Sequence, residues 1–439
     1  MTNTRWLLLS LLAALIQPAL IQRALAADTA TQLREWRRDF HQHPELGNRE
    51  TRTAGIVAAH LRSLGLEVRE GVAHTGVVGY LRGARERPLL ALRADMDALP
   101  VAEEVDLPFA SKATAKFRGE DVGVMHACGH DAHTAILMAA ASVLAARKDS
   151  LQGSVMFIFQ PAEEGPPEGE KGGAPLMLEE GVFAAPRKPD AVVGLHVFSN
   201  LHTGTLGVRA GPLMAESDSF KIIVKGVQTH GSRPWAGVDP VLAAARIVDG
   251  LQSIVSRRVD ITRSPAVVSV GAIKGGIRYN IIPDQVELIG TVRTFETETR
   301  DAIFEDITLI SEKTAAAHHA TATTSFDRHT VVTRNDPALT ARLRPALQRA
   351  KGATEVLEIP LSTVAEDFAY FAEAVPGFYF FVGATPADQN LKARRPTTRR
   401  ASSSTKPRST SDTRHCLRWS TSSSNRRWTR TLCSLLQCF

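Results

Sequence analysis

Val155-Met-Phe-Ile-Phe159-Gln160-Pro161-Ala162-Glu163-Glu164-Gly165 sets five apolar residues almost directly against two carboxylates. A short run without polar side chains reads as a strand buried on both faces, the habit of parallel sheets. Two adjacent carboxylates just past such a strand are costly to hold in a dry site unless a cation compensates them. One can bind a metal while its neighbour, facing the other way along the backbone, acts as general base for a metal-activated water. Glu-Glu pairs are also common on protein surfaces, so this pair needs support from elsewhere in the chain.

The flanking sequence supplies a fold for it. Glu50 to Leu64 carries apolar residues at helical spacing and stops at Gly65, a helix followed by a C-terminal glycine. Leu66-Glu-Val68, Val77 to Leu81, Leu89 to Arg93 and Ala191 to Leu195 are short strand-like runs, and Asp131 to Arg147 is a long Ala-rich helix. This alternation predicts an α/β fold, an open and mostly parallel sheet flanked by helices, with reactive groups gathered just beyond the carboxyl ends of its strands. Between Leu213 and Phe326 the pattern changes. Ser219 to Val227, Ala266 to Ile273 and Val286 to Phe295 alternate as strands, while Pro240 to Val255 and Glu298 to His318 are helical, which predicts an inserted α+β sandwich domain. A helix at Pro337 to Ala350 and a strand at Gly377 to Gly383 then return to the first domain. The organisation expected is a catalytic domain in two parts, 27–212 and 327–390, around an insertion at 213–326.

Two further places carry metal-ligand side chains. In Met125-His126-Ala127-Cys128-Gly129-His130-Asp131, His126, Cys128 and His130 alternate, so they can point to one side of an extended segment. The alternative is a satisfied histidine pair near a buried cysteine; Cys and His two apart, with no other cysteine before the tail, favour a metal site. Gly194-Leu195-His196-Val197 ends an otherwise apolar strand on a histidine. Cys, His, Glu and His then lie at one edge of one predicted sheet.

Charge and termini bound the partners. The chain of 439 residues carries 52 Lys and Arg against 46 Asp and Glu, net +6. From Leu391 onward there are twelve basic residues and one acid, Asp412, so residues 1–390 are net −5. Nucleic-acid binding therefore has no support in the body of the protein. Three of the four cysteines, Cys416, Cys433 and Cys438, sit in the same Ser/Thr/Arg-rich tail, leaving Cys128 alone in the body. At the other end, Arg5, the apolar run Trp6 to Ile16, Pro18 and Ala24-Leu25-Ala26 read as a signal peptide over residues 1–26. The run is too short to span a bilayer comfortably, so export to the periplasm or outside the cell is expected, without stable membrane insertion.

The motifs as a set resemble a known family. Arg93-Ala-Asp95-Met-Asp97-Ala-Leu-Pro100, the His-Ala-Cys-Gly-His-Asp-Ala-His run ending at His133, Gln160-Pro-Ala-Glu-Glu164, Gly194-Leu-His196 and Arg38-Asp-Phe-His41-Gln-His43-Pro44-Glu45 are similar, in order, to the amidohydrolase branch of the zinc carboxypeptidase and aminoacylase family. That branch includes hippurate hydrolase, N-acyl-amino-acid deacylases and auxin-conjugate hydrolases. The resemblance implies two divalent metal ions per subunit, zinc or manganese, with Cys128, His130, Glu164 and His196 as ligands and Glu163 as the proton-transferring base. How the ligands divide between the ions is left open. Asp95 is carried over as a supporting acid that orients a ligand or the base, and Asp97 as structural. The resemblance makes the insertion a lid and dimerisation domain, so a homodimer is expected. Gly226-Val-Gln-Thr-His230-Gly-Ser-Arg-Pro234 matches the lid motif whose histidine, often reaching the partner subunit's site, stabilises the oxyanion. Asn280 and Arg293 are candidates for holding the substrate's carbonyl or carboxylate, or else turn and sheet-surface residues. Glu366-Asp367-Phe368 matches a further stretch near the family's site.

One family element is missing. The resemblance calls for a late Asn-His-Ser-Pro segment supplying a fifth ligand, and no such histidine follows Phe381-Val-Gly-Ala-Thr385-Pro386. Pro396 to Lys406, back-translated with freely chosen synonymous codons and read from the last base of the proline codon, yields Asn-His-Ser-Pro-Arg-Phe-Phe-Val-Asp-Glu. The tail 391–439 is therefore read as frameshifted between about Pro386 and Pro396, against the alternative of a basic disordered extension. The function expected is metal-dependent hydrolysis of the amide of an N-acyl amino acid, hippurate-like, or of a small peptide-like amide. The alternatives are an aminopeptidase or dipeptidase of the same family, or a metal-binding and dimerisation protein impaired by its tail.

Overall fold

The computed structural model describes residues 29–350 and 353–391; the expected signal segment and the tail beyond Leu391 lie outside the described residues. The described chain forms two compact units, one made of residues up to Ala210 with 335–359 and residues from Phe371 onward, the other of 211–334 and 360–370.

Along the first unit, helices α1 (residues 29–42) and α2 (Thr51–Ser63) precede strands β1 (Glu67–Val72), β2 (Gly76–Leu81) and β3 (Leu89–Asp95). Helix α3 (His130–Ala145), β4 (Ser154–Gln160), β5 (Ala191–His202) and β6 (Thr205–Val208) follow. The second unit holds β7 (Glu216–Lys225), α4 (Pro240–Arg257), β8 (Val267–Gly275), β9 (Gln285–Thr294), α5 (Thr297–Ala317) and β10 (Thr321–Thr330). The chain re-enters the first unit through α6 (Pro337–Arg349), β11 (Glu355–Glu358) and β12 (Gly377–Thr385).

In the first unit the eight strands run in the order β1-β2-β4-β3-β5-β12-β6-β11. The centre, β4-β3-β5-β12, is parallel throughout, and antiparallel pairs occur only towards the edges. Burial explains the arrangement. Every residue of β3, β4 and β12 is buried, so these strands need cover on both faces and cannot be edges. Helix α3 supplies part of it: its Ala-rich surface, buried from His130 to Ala141, lets the helix approach closely, and Ala135, Ile136 and Ala139 pack into the same core as Leu92, Phe157 and Val193. No helix of the described residues is long and apolar enough to cross a membrane.

The second unit is a four-stranded antiparallel sheet, β8-β9-β7-β10, with α4 and α5 on one face. Its strands alternate as half-covered strands do: Phe220, Ile222 and Val224 of β7 and Val286, Leu288 and Val292 of β9 face Ala244, Ile247, Leu251, Ile303 and Ile307 of the helices. Asp239 caps α4, its carboxylate accepting from the Val241 and Leu242 amides, and Pro240 occupies the first helical position.

Candidate metal centre

Strand register brings the candidate ligands to one edge. Asp95 of β3 pairs with Gln160 of β4, and Arg93 of β3 with Gly194 of β5, so the three strands finish side by side. The Glu163-Glu164 turn follows β4 and Asp97 follows β3. Pairing between β3 and β5 stops at Gly194, which leaves His196 two residues past its last β3 partner.

Cys128 and His130 arrive there by a different route from the one their alternation suggests. The segment is not extended. Gly129 adopts φ +98°, and His130 opens α3, so a sharp left-handed step joins the two ligands. His126 is separated from them: it is 2 % exposed, neither ring nitrogen has a hydrogen-bond partner, and burial pushes its pKa down to about 4. Expecting all three on one face took the segment for a strand, whereas the glycine turns the chain between the first and last.

What the turn assembles is a compact donor set. Cys128 Sγ lies 3.3 Å from His196 Nε2, and His130 Nε2 lies 3.9 Å from a Glu163 oxygen and 4.0 Å from a Glu164 oxygen. Cys128, His130 and His196 offer ligand atoms within 4.8 Å of one another, and so do His130, Glu163 and Glu164. His196 Nδ1 donates to the Val197 carbonyl at 2.6 Å, which turns Nε2 toward the cysteine. His130 Nε2 is buried without a hydrogen-bond partner, although its Nδ1 faces Asp97 Oδ1 at 3.2 Å. Burial pushes the Cys128 thiol up, and the charges of Glu164 and Glu163 add to it. Burial works against a charge on His130, but Asp95, Cys128 and Asp97 outweigh it and hold its pKa up. A thiol and imidazole both driven toward protonation by negative neighbours, around an orphaned ring nitrogen, fit a bound cation.

The supporting acids exchange emphasis relative to the sequence reading. Asp95 is 3.7 Å from His130 Nδ1; its close partners are His133 Nδ1 at 2.7 Å and Arg93 at 2.7 Å. Burial alone would raise it, and His130, His133 and Arg93 reverse that and hold it well below the usual carboxylate range. The acid that touches two ligand residues is Asp97, whose Oδ1 meets His130 and whose Oδ2 accepts the Glu164 amide at 2.9 Å. His133 was not singled out from sequence. Its Nε2 accepts the Val197 amide at 2.9 Å, so Asp95 acts through His133 on the strand that carries His196. The available signal was its position three residues after His130, on one face of a helix.

In the second unit, Thr229-His230 pairs with Ile281-Ile282, and the Gly231 amide donates to the Asn280 carbonyl at 2.8 Å. A Cβ at Gly231 would lie 3.2 Å from that carbonyl carbon, so the glycine permits the approach. His230 is exposed, its Nδ1 accepting from Ser232, and Asn280 Oδ1 is buried without a hydrogen-bond partner. Arg293 stands elsewhere, half-buried on β9 and donating to Thr291 and to the Val292 carbonyl. Glu366 and Asp367 are buried in the same unit, where the Glu366 carboxylate accepts the Phe368 amide at 3.0 Å.

Residues 91–397 match Peptidase family M20/M25/M40. The chain is 40 % identical over 347 residues to N-acetyl-L-cysteine deacetylase of Bacillus subtilis, covering 79 % of each chain. It is 38 % identical over 351 residues to IAA-amino acid hydrolase ILR1-like 4 of Arabidopsis thaliana, covering 79 % of this chain and 76 % of that one. The crystal structure of Bacillus subtilis YXEP protein, described as a dinuclear metal binding peptidase, superposes with TM-score 0.71 at 32 % identity, covering 94 % of this chain and all of that one. With its donor set at the strand ends and a family match over most of its length, this chain belongs to peptidase family M20/M25/M40.

Proposed function

We propose that this metal-dependent amidohydrolase cleaves the amide bond of N-acyl amino acids, hippurate-like in form. The observation that carries the reading is the gathering of Cys128, His130, His196, Glu163 and Glu164 around a buried ring nitrogen that lacks a partner. Cys128, His130, Glu164 and His196 would hold two divalent ions, zinc favoured by the thiolate and manganese also suited to imidazole and carboxylate. Bound there, such ions supply polarisation of the amide carbonyl and a lower pKa for water. Glu163, at the same edge and about one-tenth exposed, takes the proton from the attacking water and delivers it to the leaving amine. His230 is assigned to the oxyanion, and Asn280 and Arg293 to the substrate's carbonyl or carboxylate. A homodimer through the second unit, export, and a frameshifted tail belong to the same reading.

Turnover of hippurate and a panel of N-acetyl amino acids, with metal content measured in parallel, tests it. Glu163→Gln should lower kcat by about 10²–10⁴-fold while leaving metal content unchanged. Metal binding with no turnover on the panel would favour a binding protein, and turnover of free-amine dipeptides alone would make the chain a dipeptidase.

A further inference from the structure

Glu50 is fully buried, well apart in sequence from every ligand, and plays no part in the reaction as described so far. It stands just before α2. One of its carboxyl oxygens accepts the Ala162 amide at 2.8 Å, and the other accepts the Thr75 hydroxyl at 2.5 Å. Ala162 opens the turn that carries Glu163 and Glu164, and it holds φ +51°, a left-handed conformation that a non-glycine residue keeps only when its surroundings impose it. Two residues on in the turn, the Glu164 amide is held by Asp97. Glu163 therefore sits between two peptide N–H groups, each gripped by a buried acid from a different segment.

The rest of the Glu50 segment presses on the same turn. A Cβ at Gly47 would lie 3.0 Å from the Gly165 carbonyl oxygen and 3.1 Å from Ala162 Cβ. The Glu45 carbonyl accepts the Ala98 amide at 2.8 Å, which ties the segment to the loop that carries Asp97. Burial, then the charge of Asp97, push the Glu50 carboxyl up to about 8, as expected for two acids facing each other across one turn.

We infer that Glu50 is a positioning residue: by holding the Ala162 amide it fixes the backbone on which the base Glu163 and the ligand Glu164 stand. This rests on the reading of Glu163 as base and Glu164 as ligand. The holding is a hydrogen bond to a carbonyl-type oxygen and needs no charge, so glutamine can replace the acid and methionine cannot.

The test uses the full chain with Glu50→Gln, Glu50→Met, Thr75→Val and Glu163→Gln, and reads amide exchange at Ala162, Zn²⁺ and Mn²⁺ affinity by chelator competition, and kcat with KM on the acyl-amino-acid panel. Glu50→Gln should match wild type in all three. Glu50→Met should speed Ala162 exchange about tenfold or more, weaken metal binding about tenfold, and lower kcat about tenfold with KM within about threefold. Thr75→Val, which loosens the other end of the carboxyl, should move the first two readouts the same way by less. The proposal is overturned if Glu50→Met keeps wild-type exchange and metal affinity, even with a lower Tm, or if Glu50→Gln falls as far as Glu50→Met. Should Glu50→Met not fold, Thr75→Val with unchanged exchange overturns it. Glu163→Gln with full turnover would instead remove the base assignment, while exchange and metal affinity still decide the role of Glu50.

Discussion

Gly129 decides more about the metal centre than any ligand does. A Cβ there would lie 2.4 Å from Val197 Cγ2, beside His196, and φ +98° is closed to most L residues. Gly129→Ala should therefore cost about 2 kcal/mol or more in stability and should weaken metal binding, read by thermal melting and chelator competition. Asp97→Ala should lower metal affinity about 10- to 100-fold, because it releases both His130 Nδ1 and the Glu164 amide. Asp95→Ala leaves His130 Nδ1 its closer partner Asp97 and reaches His196 through His133, so its loss should be smaller; equal losses would refute that ordering. At this scale the donor residues the sequence singles out are brought together at the strand ends, while their hydrogen-bond partners are less legible. Cys128 and His130 follow from chemistry, but whether His126 joins them depends on one left-handed glycine. Likewise, which of Asp95 and Asp97 meets His130 depends on where β3 stops, a matter of pairing rather than of residue type.

Elements were legible where burial imposes a period and illegible where partners impose the structure. The buried runs of β3, β4 and β12 and the alternating strands of the second unit stand out because apolar side chains follow the covered faces. Strand β10, Thr-Ala-Thr-Thr-Ser-Phe-Asp-Arg-His-Thr, has almost no apolar alternation and exists because β7 offers it a full ladder of hydrogen bonds. Strand β5 runs on to His202, well past its apolar stretch, because β12 continues beside it. The helix-facing side of β7 also holds an acid, Asp218, fully buried with neither carboxyl oxygen hydrogen-bonded. Burial and Glu216 raise it to about 6, against the pull of Arg300, Arg328 and Arg293. A folded value above the unfolded one means that this group's contribution to stability is present below the ordinary aspartate pKa and lost as pH rises through about 6. Asp218→Asn, which removes the charge and keeps the shape, should thus stabilise the protein by about 1–3 kcal/mol at pH 7 and by almost nothing at pH 4. Thermal midpoints across that range check it, and a constant difference would show that the charge is not the cause.

For the whole molecule the open quantity is how many ions the chain holds. Among the described residues the two candidate donor groups that contain the expected ligands, Cys128–His130–His196 and His130–Glu163–Glu164, share His130, and its Nε2 can bind one ion at a time. Cys128 and His196 then complete one position, and the other keeps Glu163 and Glu164, of which Glu163 is assigned to proton transfer. On that proposed assignment the second ion would have too few protein ligands for the closed or three-ligand sites that retain zinc. The resemblance places the fifth ligand in an Asn-His-Ser-Pro segment, and the alternative frame across Pro396 to Lys406 would spell that segment with suitably chosen synonymous codons. Metal analysis after dialysis should give about one tightly held ion per chain for the sequence as written, with weak turnover. Shifting the frame between Pro386 and Pro396 should restore a second ion and full hydrolysis, and should remove the excess of eleven positive charges in the tail together with Cys416, Cys433 and Cys438. Resequencing the gene gives the parallel check at the level of DNA. Two tightly bound ions in the chain with its present tail, or an unbroken frame encoding that tail in a fully active enzyme, would reject the frameshift and require a fifth ligand from elsewhere.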